Sequence, residues 1–181
     1  MQSRSAQDES ALMRAAKTDA GAFALLYDRY VQQLYHYCYH RTNNVHDAED
    51  LTSQTFLAAL EAFPHQARDG HFAAWLFTIA RNKVVDHYRR RPHAALDEAR
   101  LPASHGDLGR ETEVLQEKGM LLRAIGSLSE EEQELIRLRY VAVLPFGEIA
   151  KALHKSEEAS KKMLYRLLRR LKSQMEEAGH E

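Results

Sequence analysis

Apolar residues recur every three or four positions along most of the chain, which is the spacing of one buried face of an α-helix. No long alternation of Val, Ile or Thr with polar residues is present, so the pattern does not favour β-strands. Glycine and proline, which most often interrupt helices, number only 8 and 4 among 181 residues. The pattern therefore predicts an all-α protein.

Four helices are predicted in the first half of the chain. Their ends are marked by polar residues that cap helices and by prolines that stop them. A polar loop, HQARDG at residues 65–70, separates the last two. The predicted helices cover residues 8–17, 20–41, 47–63 and 72–91.

A linker is predicted after the fourth helix, where Pro92 and weak periodicity interrupt the helical spacing. Residues 94–117 contain six acidic and two basic residues, a net charge of −4. A second helical block begins near residue 111 or 112, and its Ser129 and Glu132 have the spacing of a capping box. The sequence thus predicts two small helical domains, residues 8–92 and 117–177, joined by a flexible linker, residues 93–116.

The fourth predicted helix is apolar at its start and basic at its end. Phe72, Leu76 and Ile79 share one apolar face with Trp75. This position predicts that the rings of Phe72 and Trp75 lie in the core and do not stack on bases. Residues 81–91 contain five basic residues and one acidic residue, a net charge of +4. Cations at a helix C-terminus complement the helix dipole, and cations also neutralise DNA phosphates. Both interpretations fit this helix taken alone.

Two helices near the C-terminus have the spacing of a helix-turn-helix. FGEIAKAL, opened by Pro145, precedes SEEASKKMLYRLLRRL, and only His154 and Lys155 separate them. Residues 150–172 contain eight basic and two acidic residues, a net charge of +6, which favours DNA binding over an ordinary surface helix. The residues predicted to face the core from the second helix are Ala159, Met163, Leu167 and Leu171, flanked by Leu164 and Leu168.

Composition excludes several classes of protein. The single cysteine, Cys38, cannot form an internal disulfide, which fits a reducing compartment. The first ten residues lack the apolar run of a secretory signal, and no apolar stretch approaches the roughly 18 residues of a membrane span. We therefore expect a cytoplasmic protein without a membrane span. The net charge of −1 says nothing about nucleic acid until its distribution is considered.

No pattern in the sequence indicates catalysis. A P-loop, a nucleophile elbow and an HExxH motif are all absent. Asp47, Glu49 and Asp50 fall in one turn at a helix start, where acidic residues favour the helix dipole, and nothing is spaced to complete a metal site. His36 and His40 likewise lack further zinc ligands. The sequence predicts no enzyme, no metal site and no cofactor.

Three stretches together resemble the extracytoplasmic-function (ECF) sigma factors, small sigma subunits of bacterial RNA polymerase. AEDLTSQTF, residues 48–56, resembles the region-two helix that docks on core polymerase. FAAWLFTIARNKVVDHYRRR, residues 72–91, resembles the segment that melts promoters and reads the minus-ten element. Residues 128–171, from LSEEEQELIRLRY to LYRLLRRL, resemble region four, which reads the minus-thirty-five element. The resemblance covers about residues 20–92 and 118–173 and rests on the order and spacing of the stretches.

The resemblance implies a subunit that binds core RNA polymerase, recognises promoter DNA and helps to open it. It also implies that an anti-sigma factor is a candidate partner, and that the 65–70 loop captures a flipped base. The residues implied in core binding are Asp47, Glu49, Asp50, Leu51 and Gln54. Those implied in minus-ten binding are His65, Arg68, Asp69, Arg81, Asn82, Asp86, Arg89 and Arg90. Those implied in minus-thirty-five binding are Ser156, Ser160, Lys161, Lys162, Tyr165, Arg166 and Arg169.

The chain departs from the family pattern at several positions. Ser53 stands where Gln is usual, and His154 and Lys155 replace a glycine and an aliphatic residue. Ser160 replaces an aliphatic residue, and Met163 replaces a frequent arginine. Two other functions remain as alternatives: a stand-alone DNA-binding regulator, and an adaptor that binds a protein but not DNA. The docking helix argues against the first, and the two basic stripes argue against the second.

Overall fold

A computed structural model of the chain describes residues 2–66, 71–90 and 111–178, with side chains described at 9–64, 71–90 and 118–177. Every regular element in these ranges is helical, which confirms the predicted all-α class. A π-helical segment, Arg137–Val141, directly follows the sixth α-helix. The α-helices are α1 (Gln2–Ala16), α2 (Ala20–Thr42), α3 (Val45–Gln66), α4 (Phe72–Arg90), α5 (Glu111–Gly126), α6 (Glu130–Ile136), α7 (Phe146–Ala152) and α8 (Glu157–Ala178).

The first four helices pack around a cluster of aromatic rings. Phe23 of α2 and Phe63 of α3 meet edge to face with ring centroids 5.4 Å apart. Phe72 of α4 completes the cluster, 5.9 Å from Phe63 and 6.4 Å from Phe23. Edge-to-face pairs at such separations add to the stabilisation from burial. The cluster therefore fixes α4 against the two helices that precede it.

Local chemistry sets the helix ends in this half. Asp19 caps α2 by accepting a hydrogen bond at 2.8 Å from the backbone N–H two residues on. Asn43 closes α2 in the left-handed region, with its N–H donating to the Tyr39 carbonyl at 2.8 Å. The predicted bounds of the third helix are wrong. It begins two residues earlier, at Val45, and continues through Pro64, since a proline close to a helix end removes only one hydrogen bond near the terminus.

The apolar face of α4 is buried as its spacing predicts. Leu76, Phe77 and Val84 are all at most 1% exposed. Trp75 is half-buried, and its ring lies 5.7 Å from that of Phe63. These contacts make Trp75 part of the core rather than a free stacking surface.

The second half of the chain forms the predicted helix-turn-helix on a supporting pair of helices. α6 opens with a capping box in which the Ser129 hydroxyl accepts from the Glu132 N–H at 3.3 Å. The Glu132 carboxylate accepts from the Ser129 N–H at 3.0 Å, which satisfies a second backbone donor at the helix start. α8 packs against α5, α6 and α7. The second helix of the helix-turn-helix is therefore held by three neighbouring helices.

The buried stripe of α8 contains the predicted Leu164, Leu167 and Leu171, but it differs from the prediction at its first position. Ser160 is completely buried with Leu164 and Leu167, whereas Ala159 is exposed. The Ser160 hydroxyl donates to the Ser156 carbonyl at 3.1 Å, so it enters the core with its hydrogen bond satisfied. The position that departs from the family's aliphatic residue is therefore still a core position.

The turn between α7 and α8 depends on the backbone of His154. This residue adopts a left-handed conformation with φ of 54°. Its N–H donates to the Lys151 carbonyl at 3.3 Å, and the Lys155 N–H donates to the Ala150 carbonyl at 2.8 Å. The two bonds form a Schellman motif, which usually places glycine at the left-handed residue.

Replacing His154 by glycine is expected to stabilise the protein. Glycine removes the steric penalty of the left-handed backbone, and its greater freedom in the unfolded chain offsets part of the gain, leaving roughly 0.5–1 kcal/mol. Lys151→Gly, in the last turn of α7, is the matched control and should destabilise by up to about 1 kcal/mol. Urea unfolding monitored by circular dichroism measures both, and a lower midpoint for His154→Gly would contradict the account of the turn.

The two helical halves contact each other directly. α4 packs against α7, and α2 packs against the π-helical segment. Side chains from one half hydrogen-bond to the other across this boundary. The sequence predicted the two halves but not this contact between them.

Candidate functional site

The acidic turn at the start of α3 presents some of its predicted residues to solvent and buries one. The Asn44 side chain caps the helix by accepting from the Asp47 N–H at 3.1 Å. Glu49, Asp50 and Gln54 are exposed. Leu51 is only 2% exposed, so it holds α3 in the core and does not present its side chain to a partner.

A groove of about 240 Å³ runs between α3 and α4. It joins two predicted sets of residues that are separate in the sequence. The His87 ring lies 3.5 Å from the Asp47 carboxylate and links the two walls. From α3 the groove is lined by Asp47, Asp50, Leu51 and Gln54, and from α4 by Lys83, Asp86, His87 and Arg90.

The basic end of α4 lies largely on the surface. Arg89 and Arg90 are exposed, and Arg89 lies 3.7 Å from Asp86 on the same helix. Asn82 is exposed as well, whereas Arg81 is half-buried. The cationic face is therefore open at its C-terminal end and partly covered towards the middle of the helix.

Three residues predicted for the minus-ten site lie outside the described part of the structure. They are the side chain of His65, at the end of α3, and all of Arg68 and Asp69. The 65–70 loop assigned to base capture therefore stays a prediction.

The predicted DNA-facing residues of α8 divide into surface, capping and buried positions. Lys162, Tyr165, Arg166 and Arg169 are exposed, and Tyr165 shows 61% of its surface. Three other residues of the set have structural contacts. Lys161 pairs with Glu157 at 2.5 Å, the Ser156 hydroxyl accepts from the Ala159 N–H at 3.1 Å, and Ser160 is buried.

Contacts with the rest of the domain fix the orientation of α8. Arg170 lies 2.8 Å from Glu132 at the start of α6. Arg139 and Lys161 lie over the Phe146 ring, with 5.0 Å and 5.7 Å to its centroid. The exposed cations of α8 are therefore carried on a helix that is held near its N-terminus and again at Arg170.

Sequence reasoning missed a set of polar residues that joins the two halves. Glu134 is 1% exposed and accepts from the Tyr37 hydroxyl at 2.6 Å. Burial, and then the negative charge of Glu134, raises the pKa of Tyr37 well above its usual value. Glu148 of α7 accepts from the Ala74 N–H at 2.7 Å. The only sequence signal was that Glu134 falls beside the apolar stripe of α6, and the three acidic residues just before it, 130–132, obscure that signal.

The described residues contain no group of three or more His, Cys, Asp or Glu placed to hold a metal ion. Cys38 is buried, and burial raises its pKa to about 11, so its thiol stays protonated at neutral pH. Among the described helices, none is long and apolar enough to cross a membrane.

Comparison with known proteins identifies both halves of the chain. Residues 26–93 match the family Sigma-70 region 2, and residues 118–171 match Sigma-70, region 4. The chain is 40% identical over 166 residues to the ECF RNA polymerase sigma factor BldN of Streptomyces coelicolor. That match covers 87% of this chain but 62% of BldN, so this chain spans about three fifths of the relative's length.

Two solved structures have the same fold. CnrH, in complex with the cytosolic domain of CnrY, superposes with a TM-score of 0.65 and 24% identity over 93% of this chain and 97% of its own. The sigma factor RpoE, in complex with the anti-sigma factor NepR from Bartonella quintana, gives 0.60 and 21% identity over 85% and 96%. At these identities the likeness establishes the fold alone.

The two regions follow each other in the chain as the sequence resemblance implied. They coincide with the two helical halves of the structure and flank the residues predicted as a linker. The chain belongs to the ECF family of RNA polymerase sigma factors, the proteins of transcription initiation, with sigma-70 regions 2 and 4.

Proposed function

We propose that this chain is a dissociable, non-catalytic initiation subunit that binds bacterial core RNA polymerase, recognises two promoter elements and helps to open the DNA. Family membership supports this function. The observation that carries it is the groove between α3 and α4, which brings the acidic docking residues and the basic strand-binding residues into one surface. A subunit that couples polymerase binding to DNA opening needs these two surfaces side by side.

In this proposal the acidic wall of the groove faces the polymerase. Asp50 and Gln54 are exposed and line this groove, whereas the exposed Glu49 lies on the neighbouring side of α3, towards α2. Asp47 pairs with His87 and thereby connects α3 to the opposite wall of the groove, which α4 forms. Leu51 supports α3 from inside, since its side chain is buried.

The basic wall would hold the single strand exposed on promoter opening. Arg89 and Arg90 are exposed at the end of α4, where their charges can reach phosphates. Arg81, Asn82 and Asp86 belong to the same proposed surface, and the 65–70 loop would take the flipped base. Region 2 would comprise residues 8–92, with residues 93–116 as linker.

Region 4, residues 117–177, would read the minus-thirty-five duplex through α8. A helix in the major groove reads bases with its exposed side chains and contacts phosphates with its cations. The exposed Lys162, Tyr165, Arg166 and Arg169 suit both contacts. Lys161 would contact DNA after leaving Glu157, Ser156 would present the helix N-terminus, and Ser160 would act only through packing.

Replacing Lys162 and Arg166 together by alanine is expected to weaken transcription from promoters that depend on the minus-thirty-five element. Losing two phosphate or base contacts should cost roughly tenfold or more in affinity. Lys172→Ala with Lys151→Ala is the charge-matched control, and it should stay within about twofold. An equal loss of transcription in the control, or no loss in the test variant, would contradict the proposal that α8 reads the minus-thirty-five element. The measurement is run-off transcription with polymerase reconstituted with each variant.

We further propose that the protein acts in the cytoplasm, where polymerase and chromosome are found, and that an anti-sigma factor regulates it. RpoE, a sigma factor with the same fold as this chain, forms a complex with the anti-sigma factor NepR. That complex supports regulation of this chain by an anti-sigma factor.

Elution on a sizing column with core polymerase from Streptomyces coelicolor, the source of the 40% identical relative, tests the proposed function. Co-elution separates it from a stand-alone regulator. Binding of duplex DNA by the free chain, without co-elution, would favour the regulator instead.

A further inference from the structure

His87 lies in the groove between α3 and α4 and belongs to none of the predicted sets of site residues. Its Nε2 atom lies 3.5 Å from the Asp47 carboxylate, and the two side chains are only 17% and 16% exposed. A carboxylate only accepts hydrogen bonds, so the ring presents an N–H to Asp47. The pair of Arg89 and Asp86, on α4 alone, is 81% and 51% exposed at 3.7 Å. Solvent screens an exposed pair more than a shielded one, so the contact of His87 with Asp47 is the stronger link.

His87 and its neighbour Tyr88 tie the end of α4 to two different helices. His87 contacts Asp47 in the first turn of α3. The Tyr88 hydroxyl donates to the Arg41 carbonyl in the last turn of α2. The rings of His87 and Tyr88 also pack edge to face, with their centroids 5.5 Å apart. The last turn of α4, which carries the exposed arginines, is therefore held from two sides.

The apolar face of α4, and not this contact, keeps the helix in the fold. Leu76, Phe77 and Val84 are at most 1% exposed, and the burial of several large apolar side chains outweighs one ion pair. Loss of the contact at His87 should therefore leave the body of α4 in place and release only its last turn. The last turn of a helix frays unless contacts of this kind hold it.

We propose that His87 is a positioning residue for promoter opening, which acts by fixing the last turn of α4 through its contact with Asp47. That turn presents Arg89 and Arg90 to the separated strand in the proposed function, on which this inference rests. Groups that are fixed before binding lose less entropy on binding and therefore bind more tightly. Because Asp47 lies in the acidic docking turn of α3, the contact also fixes the strand-binding surface relative to the polymerase-binding surface.

Two substitutions of His87 separate its polar contact from its ring. His87→Phe keeps a ring beside Tyr88 and removes the N–H that faces Asp47. His87→Gln keeps an N–H at a similar distance from the backbone and removes the ring. His36→Phe is the matched control, since His36 is an exposed histidine of α2 that lies outside the groove.

Three measurements are made on each full-length variant. Permanganate footprinting with saturating Streptomyces coelicolor core polymerase measures promoter opening. Competition against a labelled sigma factor measures the affinity for core polymerase. Fluorescence anisotropy with a labelled single-stranded oligonucleotide of mixed sequence measures strand binding by the free chain, at low salt because phosphate contacts are strongest there.

His87→Phe is expected to reduce promoter opening and oligonucleotide binding about three- to tenfold, because small displacements of binding groups cost factors of this size or more. Its affinity for core polymerase should stay within about twofold of the original chain, as should all three measurements on His87→Gln and His36→Phe. Normal opening by His87→Phe, or an equal loss of core affinity, would overturn the positioning role. An equal loss in His87→Gln would assign the effect to the ring and would overturn it too. If His87→Phe is unfolded by circular dichroism, His87→Ala replaces it, and the same outcomes apply.

Adding Arg89→Ala and Arg90→Ala to His87→Phe separates this inference from the proposed function. A residue that acts only through the two arginines should cause no further loss of opening, within about twofold, once they are absent. A further loss of about threefold or more would overturn the positioning role. No loss of opening in the arginine pair alone would overturn the proposed strand-binding surface. A loss in the arginine pair without one in His87→Phe would overturn this inference alone.

Discussion

Replacing Arg89 and Arg90 together by alanine is expected to reduce promoter opening by about 10- to 100-fold, since the two charge-assisted phosphate contacts together contribute roughly 1.4–2.8 kcal/mol. Both side chains are exposed at the end of α4 and lie away from the buried face of that helix. The fold and the docking surface should therefore survive the change. Permanganate footprinting of a promoter fragment measures opening, and co-elution measures core binding.

The matched control for this pair is Arg14→Ala with Arg29→Ala. Both arginines are exposed, but they lie on α1 and α2, and Arg29 pairs only weakly with Glu9 at 3.4 Å. The control should open promoters normally. A normal footprint for Arg89→Ala with Arg90→Ala would contradict the strand-binding role, and loss of core binding would show that the two surfaces are not separable.

Replacing Asp50 and Gln54 together by alanine is expected to weaken core polymerase binding by about tenfold or more, because exposed polar groups at the centre of an interface are costly to lose. Both side chains lie on the open side of α3, so thermal unfolding should change little. Competition against a labelled sigma factor for core polymerase gives the affinity directly. The oligonucleotide binding of the free chain should stay unchanged.

Glu61→Ala is the control on the same helix. Glu61 is an exposed carboxylate near the other end of α3, outside the groove. Equal losses for the test variant and Glu61→Ala would mean that general charge, rather than the acidic turn, drives core binding.

Features set by neighbouring residues were predictable from the sequence. The capping box at Ser129 appears as expected, because it depends on hydrogen bonds to backbone within three residues. The tight turn at His154 and Lys155 was predicted too, although the left-handed backbone of a histidine was not. Local hydrogen-bond chemistry therefore carried these predictions.

Features that depend on burial or on distant contacts were not predictable in this way. Ser160 is a core residue, because a hydroxyl whose hydrogen bond is satisfied can be buried. Leu51 lies on the packed face of α3, and its place in a motif does not reveal that orientation. Tyr37 and Glu134 meet across 97 residues of sequence. No periodicity within either helix signals that pairing, so the contact between the regions emerges only from the tertiary structure.

The most direct test of the central claim is start-site mapping of transcripts made on fragmented genomic DNA by Streptomyces coelicolor core polymerase, with and without this protein. We expect a set of new start sites that appear only with the protein and share two upstream elements. The same sites should weaken with Arg89→Ala and Arg90→Ala. Identical start sites with and without the protein, despite a folded chain and active core enzyme, would contradict a role as an initiation subunit.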